Sequence, residues 1–349
     1  MKKRIKSLAL ALLLCLTLAA PALAAPTGYS DVPEGHWSAE SVRRATELGL
    51  FEGVGGGKFG RGQPITRAAF TAALVRLFGW ESASPAKATF ADVTADRWFY
   101  SAVETACLNG AVPASGKTFR PTDNITREEM AAMLVRGLGY TSLAGVVSSY
   151  SSPFTDVTTN KGFITIAYDL GIVDGVGDGK FAPGSTAPRE QAAAMLVRVY
   201  DKLYGSSARL SSAGSLQRVV VPAPKAEKGS EVPTTPLEPI AELYAALREL
   251  KNSGADMSRA ALCLRGGGIQ TLVSNGRILS SGELSADEVA ELLSGSGVRT
   301  YYSDRYESAY CIYQPNGYQT ATVWYQSEKS LSVKLQLGRF FGVTHYVLE

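Results

Sequence analysis

A multidomain chain is what the sequence predicts: an all-α region of three helical repeats, a linker, then a small α+β domain with a mostly antiparallel sheet. Three observations predict it. An amphipathic stretch opening on Thr-Arg or Pro-Arg is written three times before residue 205. Residues 206–236 turn to Ser, Pro and Lys, and beyond 237 apolar runs of strand length alternate with Gly and Asn-Gly turns.

The repeated stretch decides the first region. Pro64-Ile65-Thr66-Arg67-Ala68-Ala69-Phe70 returns as Asn124-Ile125-Thr126-Arg127-Glu128-Glu129-Met130 and, more loosely, as Ala187-Pro188-Arg189-Glu190-Gln191-Ala192. In the first copy Ala69, Phe70, Ala73, Leu74, Leu77 and Phe78 recur at three- and four-residue steps, the apolar stripe of a packed helix. Thr66 and Thr126 stand where an N-cap belongs, and Gly79 and Gly139 where such helices stop. Thr126 with Glu129 makes a capping box; Ala69 denies the first copy its reciprocal half, and Pro188 removes the cap hydroxyl from the third.

Arg67, Arg127 and Arg189 sit beside these caps, where each opposes the helix dipole by roughly 0.3–1 kcal/mol. Open backbone N–H groups beside a guanidinium would seat a carboxylate or phosphate. The alternative is an arginine that is solvated or paired with a structural aspartate.

The chain opens with the marks of a signal peptide over residues 1–24. Lys2, Lys3, Arg4 and Lys6 precede the apolar run Leu8 to Leu18, and Ala22-Leu23-Ala24 supplies small residues for cleavage. That run is too short to span a membrane, so no membrane span is expected after cleavage. A formal net charge of +3 does not suggest a nucleic-acid partner. Beyond Cys15 only Cys107, Cys263 and Cys311 remain, which is no disulfide scaffold; Cys263 and Cys311 either pair or stay as separately buried thiols.

Each repeat (29–86, 87–148 and 149–205) opens on Asp-Val: Asp31-Val32, Asp92-Val93, Asp156-Val157. Trp37, Trp98 and Phe163 then start a first helix, which Gly49, Gly110 and Gly171 end. A glycine-rich turn follows, Gly53 to Phe59 in the first copy and Gly175 to Phe181 in the third; the second copy is eroded to Pro113 to Phe119. Asp174 to Gly179 faintly echoes a calcium loop but lacks the later bidentate Glu, so no metal or other cofactor is expected.

In order, these landmarks resemble S-layer homology (SLH) repeats, over about half the chain. The resemblance implies a pseudo-threefold SLH trimer of helical repeats. It also implies non-covalent binding of a secondary cell-wall polysaccharide, commonly an acidic, pyruvylated one, in grooves between repeats. By position it makes Arg67, Arg127 and Arg189 carboxylate contacts, and Trp37 and Trp98 groove aromatics, unless the tryptophans anchor the first helices in the core. It makes Asp31, Asp92 and Asp156 partners of the arginines or of sugar hydroxyls. The third copy departs most, with Phe163 for Trp and Pro188 for Thr.

Past the linker, residues 237–349 read as an α+β domain. Ile240, Leu243, Tyr244, Leu247 and Leu250 mark a helix, and Ser285 with Glu288 caps another. Strands are expected at Ala260–Leu264, Ile269–Val273, Val298–Tyr302, Ala309–Gln314, Tyr318–Tyr325, Leu331–Leu337 and near Val343–Leu348. His345 is the only histidine past His36, so neither a zinc cluster nor a serine triad can be assembled there. Paired carboxylates remain open among Glu283, Asp287, Glu288, Asp304, Glu307 and Glu328.

The expected protein is therefore a secreted, cell-wall-anchored bacterial surface protein, not itself an enzyme and without a catalytic residue. It displays its C-terminal domain to protein partners left open. Two alternatives stand beside it: an anchored wall hydrolase with its active site in 237–349, and a structural S-layer component.

Overall fold

The structure is a computed structural model that describes residues 28–205, 208–211, 216–221 and 237–349. The signal segment and most of the linker lie outside the described residues. Among those described are ten α-helices and nine strands.

The repeats contribute α1 (Ala39–Glu47), α2 (Arg67–Phe78), α3 (Tyr100–Leu108), α4 (Arg127–Gly137), α5 (Thr141–Val147), α6 (Lys161–Asp169) and α7 (Arg189–Tyr204). Caps follow the residues expected of them. Thr66 accepts the Ala69 N–H, Thr126 and Glu129 close the full box, and Pro188 gives no side-chain cap. Gly79 ends α2 at φ 61°, a left-handed position that glycine adopts without strain. Each first helix packs on the second helix of the repeat before it: α3 on α2, α6 on α4 and, closing the circle, α1 on α7.

Backbone bonds close the same circle. Ile125 N donates to Ile65 O at 2.9 Å, Ala187 N to Ile125 O at 3.1 Å, and Ile65 N to Ala187 O at 3.2 Å. All three isoleucine and alanine side chains are buried, so the ring is stapled by hydrogen bonds around an apolar centre.

Two sheets follow. Four parallel strands run in the order β1 (Arg209–Leu210), β9 (His345–Leu348), β3 (Ala260–Leu264) and β2 (Gln217–Val220). Five antiparallel strands run in the order β5 (Arg277–Leu284), β4 (Gly268–Ser274), β8 (Gln319–Tyr325), β7 (Ser308–Asn316) and β6 (Arg299–Ser303). The parallel sheet departs from the mostly antiparallel expectation: β2 comes from the expected linker, and every residue of β3 is buried, as an interior parallel strand requires. Helices α8 (Ile240–Asn252) and α10 (Glu328–Phe341) make the crossovers, and α9 (Ala286–Ser294) lies beside the antiparallel sheet.

Leu331–Leu337 was expected as a strand and is helical. The leucines alternate, but Ser327 caps the segment through Ser330, and the buried Ser330, Lys334, Leu337 and Phe341 recur at three- and four-residue steps. Helical burial overrides the alternation. Cys263 and Cys311 are both free and buried, one in each sheet.

The C-terminal unit packs directly on the repeats. Arg248 Nε lies 2.8 Å from Asp169 Oδ2, Tyr244 donates its hydroxyl to the same carboxylate, and Lys251 donates to Asp169 O at 2.6 Å. Gln336 donates to Leu138 O and Tyr140 Oη, each at 3.1 Å. One apolar core runs from Val32 to Val343 through both halves.

Candidate functional site

Each Asp-Val aspartate ties down a phenylalanine turn. Asp31 accepts the N–H of Phe59 at 2.8 Å, of Gly60 at 2.8 Å and of Arg61 at 2.9 Å. Asp92 takes Phe119 and Arg120 at 2.7 Å, and Asp156 takes Phe181 and Ala182 at 2.8 Å. Burial raises the Asp31 carboxyl, but the N–H groups of Phe59, Arg61 and Gly60 outweigh it and hold it below the usual range. The Phe181 N–H does the same for Asp156.

The carbonyl of that same phenylalanine receives an arginine from another repeat. Arg67 Nε donates to Phe119 O at 2.9 Å, Arg127 Nε to Phe181 O at 2.9 Å and Arg189 Nε to Phe59 O at 3.0 Å. The guanidinium carbons stand 4.8, 4.6 and 5.1 Å over those rings. The aspartates thus orient the arginines through the phenylalanine peptide rather than by ion pairing.

The open helix N–H groups expected beside the arginines are occupied. Arg67 N donates to Asp123 O at 2.9 Å, Ala68 N to Pro121 O at 3.0 Å, Arg127 N to Ser185 O at 3.0 Å and Arg189 N to Gln63 O at 3.0 Å. The next repeat lays its post-phenylalanine turn against each helix start and uses the donors itself. What each arginine side chain itself still offers an anion is its guanidinium edge.

That edge differs among the three. Arg67 Nη1 lies 2.7 Å from Glu129 Oε1, which Arg120 also contacts, so its charge is matched. Arg127 meets the neutral Gln191 Oε1 at 3.0 Å and Asp174 O at 2.8 Å. Arg189 meets Glu52 O at 2.9 Å. Neither of these two has a carboxylate partner among the described residues, and burial pulls both guanidinium groups below their usual pKa. Arg127 lines a groove of about 330 Å³ with Trp37, Gln191, Met195 and Arg198. Trp37 is 59% exposed and Trp98 69%, so neither anchors a helix in the core. Trp98 lies edge-on to Phe99, and Phe163 sits under Arg136 at 4.3 Å.

A second cleft, of about 350 Å³, opens in the C-terminal unit at the carboxyl ends of β2, β3 and β9, where open α/β sheets hold ligands. Glu238, Arg265, Glu283 and Glu349 line it. Glu238 Oε2 accepts from Gln326 at 2.6 Å and lies 3.9 Å from Lys334 Nζ, while Oε1 lies 3.8 Å from Arg265 Nε. Arg265 Nη1 bonds Glu283, whose side chain is 71% exposed. Burial lifts the Glu238 carboxyl above its usual value against the opposing pull of Lys334 and Arg265. The same burial lowers Lys334, which has no exposure, to about 8.

Of the carboxylates singled out in sequence, only Glu283 reaches this cleft. Glu307 is buried and accepts from Tyr302 at 2.8 Å; Glu288 caps α9; Asp304 pairs with Lys329 at 3.4 Å; Asp287 and Glu328 are exposed. Sequence reading missed Glu238, Arg265 and Lys334. The one available signal was a charged Arg265 followed by Gly266-Gly267 at the end of an apolar strand.

The family profile described as the S-layer homology domain matches residues 28–71, 89–131 and 153–193. An endoglucanase of Bacillus sp. (strain KSM-635) is 33% identical over 62% of this chain and 25% of its own. An S-layer protein of Bacillus anthracis is 31% identical over 54% of this chain and 23% of its own. The chain thus spans about a quarter of the length of these curated relatives. Among solved structures, a chitinase from Chromobacterium violaceum aligns over 33% of this chain and 34% of its own at 17% identity, with a TM-score of 0.29. The expectation that the chain is not an enzyme is corrected by the endoglucanase among the relatives that share its repeats. Among the described residues, no helix is long and apolar enough to cross a membrane.

Proposed function

From the premise that the chain carries three S-layer homology domains and is a cell-surface, cell-wall-associated protein, we propose that it is an anchored glycoside hydrolase. The repeats hold an acidic wall polysaccharide in inter-repeat grooves, and the unit at 237–349 cleaves polysaccharide.

The observation that carries the enzymatic half is the cleft at the parallel strand ends, where a buried carboxyl, Glu238, and a water-exposed carboxylate, Glu283, flank Arg265. That is the paired-acid chemistry glycoside hydrolysis needs. The anchoring half rests on Arg127, which lines the Trp37 groove with no carboxylate in ion-pair reach, the groove's own Asp174 carboxylate being paired with Arg198. A pyruvyl carboxylate would supply one. The circle of bonds joining the three repeats supports the pseudo-threefold arrangement such grooves require.

Incubating the full chain with purified cell wall tests both halves. Sedimentation with the wall reads anchoring, and release of reducing ends reads cleavage. A chain that sediments but releases nothing from wall or from soluble polysaccharide retires the hydrolase and leaves the anchor.

A further inference from the structure

The repeats put different residues at three equivalent positions. After the glycine that ends each first helix, the third residue is Glu52, Pro113 or Asp174. Two residues past each repeated arginine stand Ala69, Glu129 and Gln191, and nine past it Arg76, Arg136 and Arg198. Gln191 and Arg198 are seven apart on one face of α7, and both line the Trp37 groove with Arg127. Glu129 and Arg136 are the same pair on α4. The equivalent groove, entered by Arg67, therefore runs from Glu129 to Arg136 and Phe163.

Charge is distributed oppositely in these two grooves. In the Trp37 groove Arg198 is the neutralised arginine, 2.7 Å from Asp174 Oδ2 and donating to Ile172 O at 3.2 Å, while Arg127 has no carboxylate in ion-pair reach. In the Phe163 groove Arg67 is the neutralised one, 2.7 Å from Glu129, and Pro113 stands where Asp174 would. Arg136 is left over. No hydrogen bond or ion pair reaches its guanidinium among the described residues, whereas Arg76 donates to Leu50 O at 3.2 Å. Its partner is the Phe163 ring at 4.3 Å. Burial pulls the Arg136 pKa down with no carboxylate to oppose it.

A half-buried cation with unmatched N–H groups is costly unless an acceptor comes to meet it. Phe163 holds the guanidinium from one side, which fixes the direction of its N–H edge, as bidentate carboxylate recognition requires.

We propose that the Phe163 groove seats its anion at Arg136 and not at Arg67, and that this anion is the carboxylate of an acidic wall sugar. This rests on the anchoring reading above. The seat lies two helical turns, about 10 Å, along α4 from the level of Glu129. Each of the two grooves keeps one free arginine, and the free one changes place because an acid is lost at 113 and another gained at 129.

The experiment uses the full chain. NMR follows the arginine Nε–Hε resonances during titration with glucuronate and, separately, with inorganic phosphate, and calorimetry reads binding of purified wall polymer. Arg136→Lys identifies the Arg136 resonance by its loss. Glucuronate should move that resonance and leave the Arg67 resonance in place. Pro113→Asp restores the acid that pairs Arg198 in the third repeat, at an exposed position and without altering either arginine. It should weaken the glucuronate Kd read at Arg136 about tenfold with an unchanged melting temperature. An Arg136 resonance that glucuronate does not move, or a Kd that Pro113→Asp leaves alone, overturns the seat while wall-polymer binding by the parent keeps the anchor. A resonance moved by phosphate but not by glucuronate overturns the carboxylate. A parent chain that binds no wall polymer overturns the anchoring reading itself, and the wall-sugar assignment with it.

Discussion

Arg127 donates from Nε to the carbonyl oxygen of Phe181 at 2.9 Å and lays its guanidinium 4.6 Å over the ring of the same residue. One residue fixes the cation twice, in plane and from above. Gln191 and the Asp174 carbonyl take one N–H each, so with the Phe181 bond three of the five guanidinium N–H groups are used and two remain for the groove.

Arg127→Lys keeps the charge but cannot span three acceptors and a ligand at once. It should weaken binding of purified wall polymer about tenfold, a loss of roughly 1.4 kcal/mol. Binding isotherms check this, and undiminished affinity would remove Arg127 from the groove's ligand set.

Glu129 sets the contrast. It closes the α4 capping box and matches Arg67 at 2.7 Å, where the next repeat has the neutral Gln191. Glu129→Gln keeps an oxygen for the Thr126 N–H and uncovers Arg67. Wall-polymer binding should rise several-fold, the effect of about 1 kcal/mol of released charge. Burial raises the Glu129 carboxyl, but the Thr126 N–H, Arg67 and Arg120 bring it below 4.5. A lowered carboxyl binds fewer protons folded than unfolded. Its stabilisation is therefore present above pH 4.5 and lost as pH falls through the folded value. Melting curves on the acid side should be flatter for Glu129→Gln than for the parent.

How much could be read beforehand depends on whether the signal was local. Caps, the repeat period, the Asn275-Gly276 hairpin turn and the Ser285 box are contiguous in sequence, and each is found where expected. The arginines could be singled out because three copies share one position. Their partners were not: Phe119, Phe181 and Phe59 lie in another repeat, and only ring closure brings them near. Glu238 was invisible for the same reason. It follows a proline-rich stretch, and its environment comes from Arg265, Gln326 and Lys334, up to 96 residues away. Leu331–Leu337 misled because its alternating leucines fit a strand, while its burial follows a helix.

Lys334 carries a stability signature of its own. Its pKa is lowered from 10.5 to about 8 by burial, against the pull of Glu238 and Glu307. A base with a lowered folded pKa binds fewer protons folded than unfolded between those values, so stability should rise as pH climbs from about 8 to about 10.5. The full shift corresponds to about 3 kcal/mol. Lys334→Met should abolish that rise in urea melts taken across the same window. A variant that keeps the slope would place its source elsewhere.

Asp169 joins the two halves of the molecule. Its side chain is 10% exposed and takes the Tyr244 hydroxyl and the Arg248 guanidinium, while Lys251 reaches its carbonyl. Tyr244→Phe removes one hydrogen bond to a charged group and leaves the ion pair, so stability should fall by about 1.5–3 kcal/mol. Asp169→Ala leaves the Arg248 cation without its partner at the interface, and the loss should be larger, about 3–5 kcal/mol. Because one apolar core crosses the junction, the parent should unfold in a single calorimetric transition. In Asp169→Ala the C-terminal unit should melt first, and protease should degrade it at temperatures where the parent resists. Two transitions already present in the parent, or an Asp169→Ala chain that melts and resists protease like it, would mean that this contact does not couple the halves.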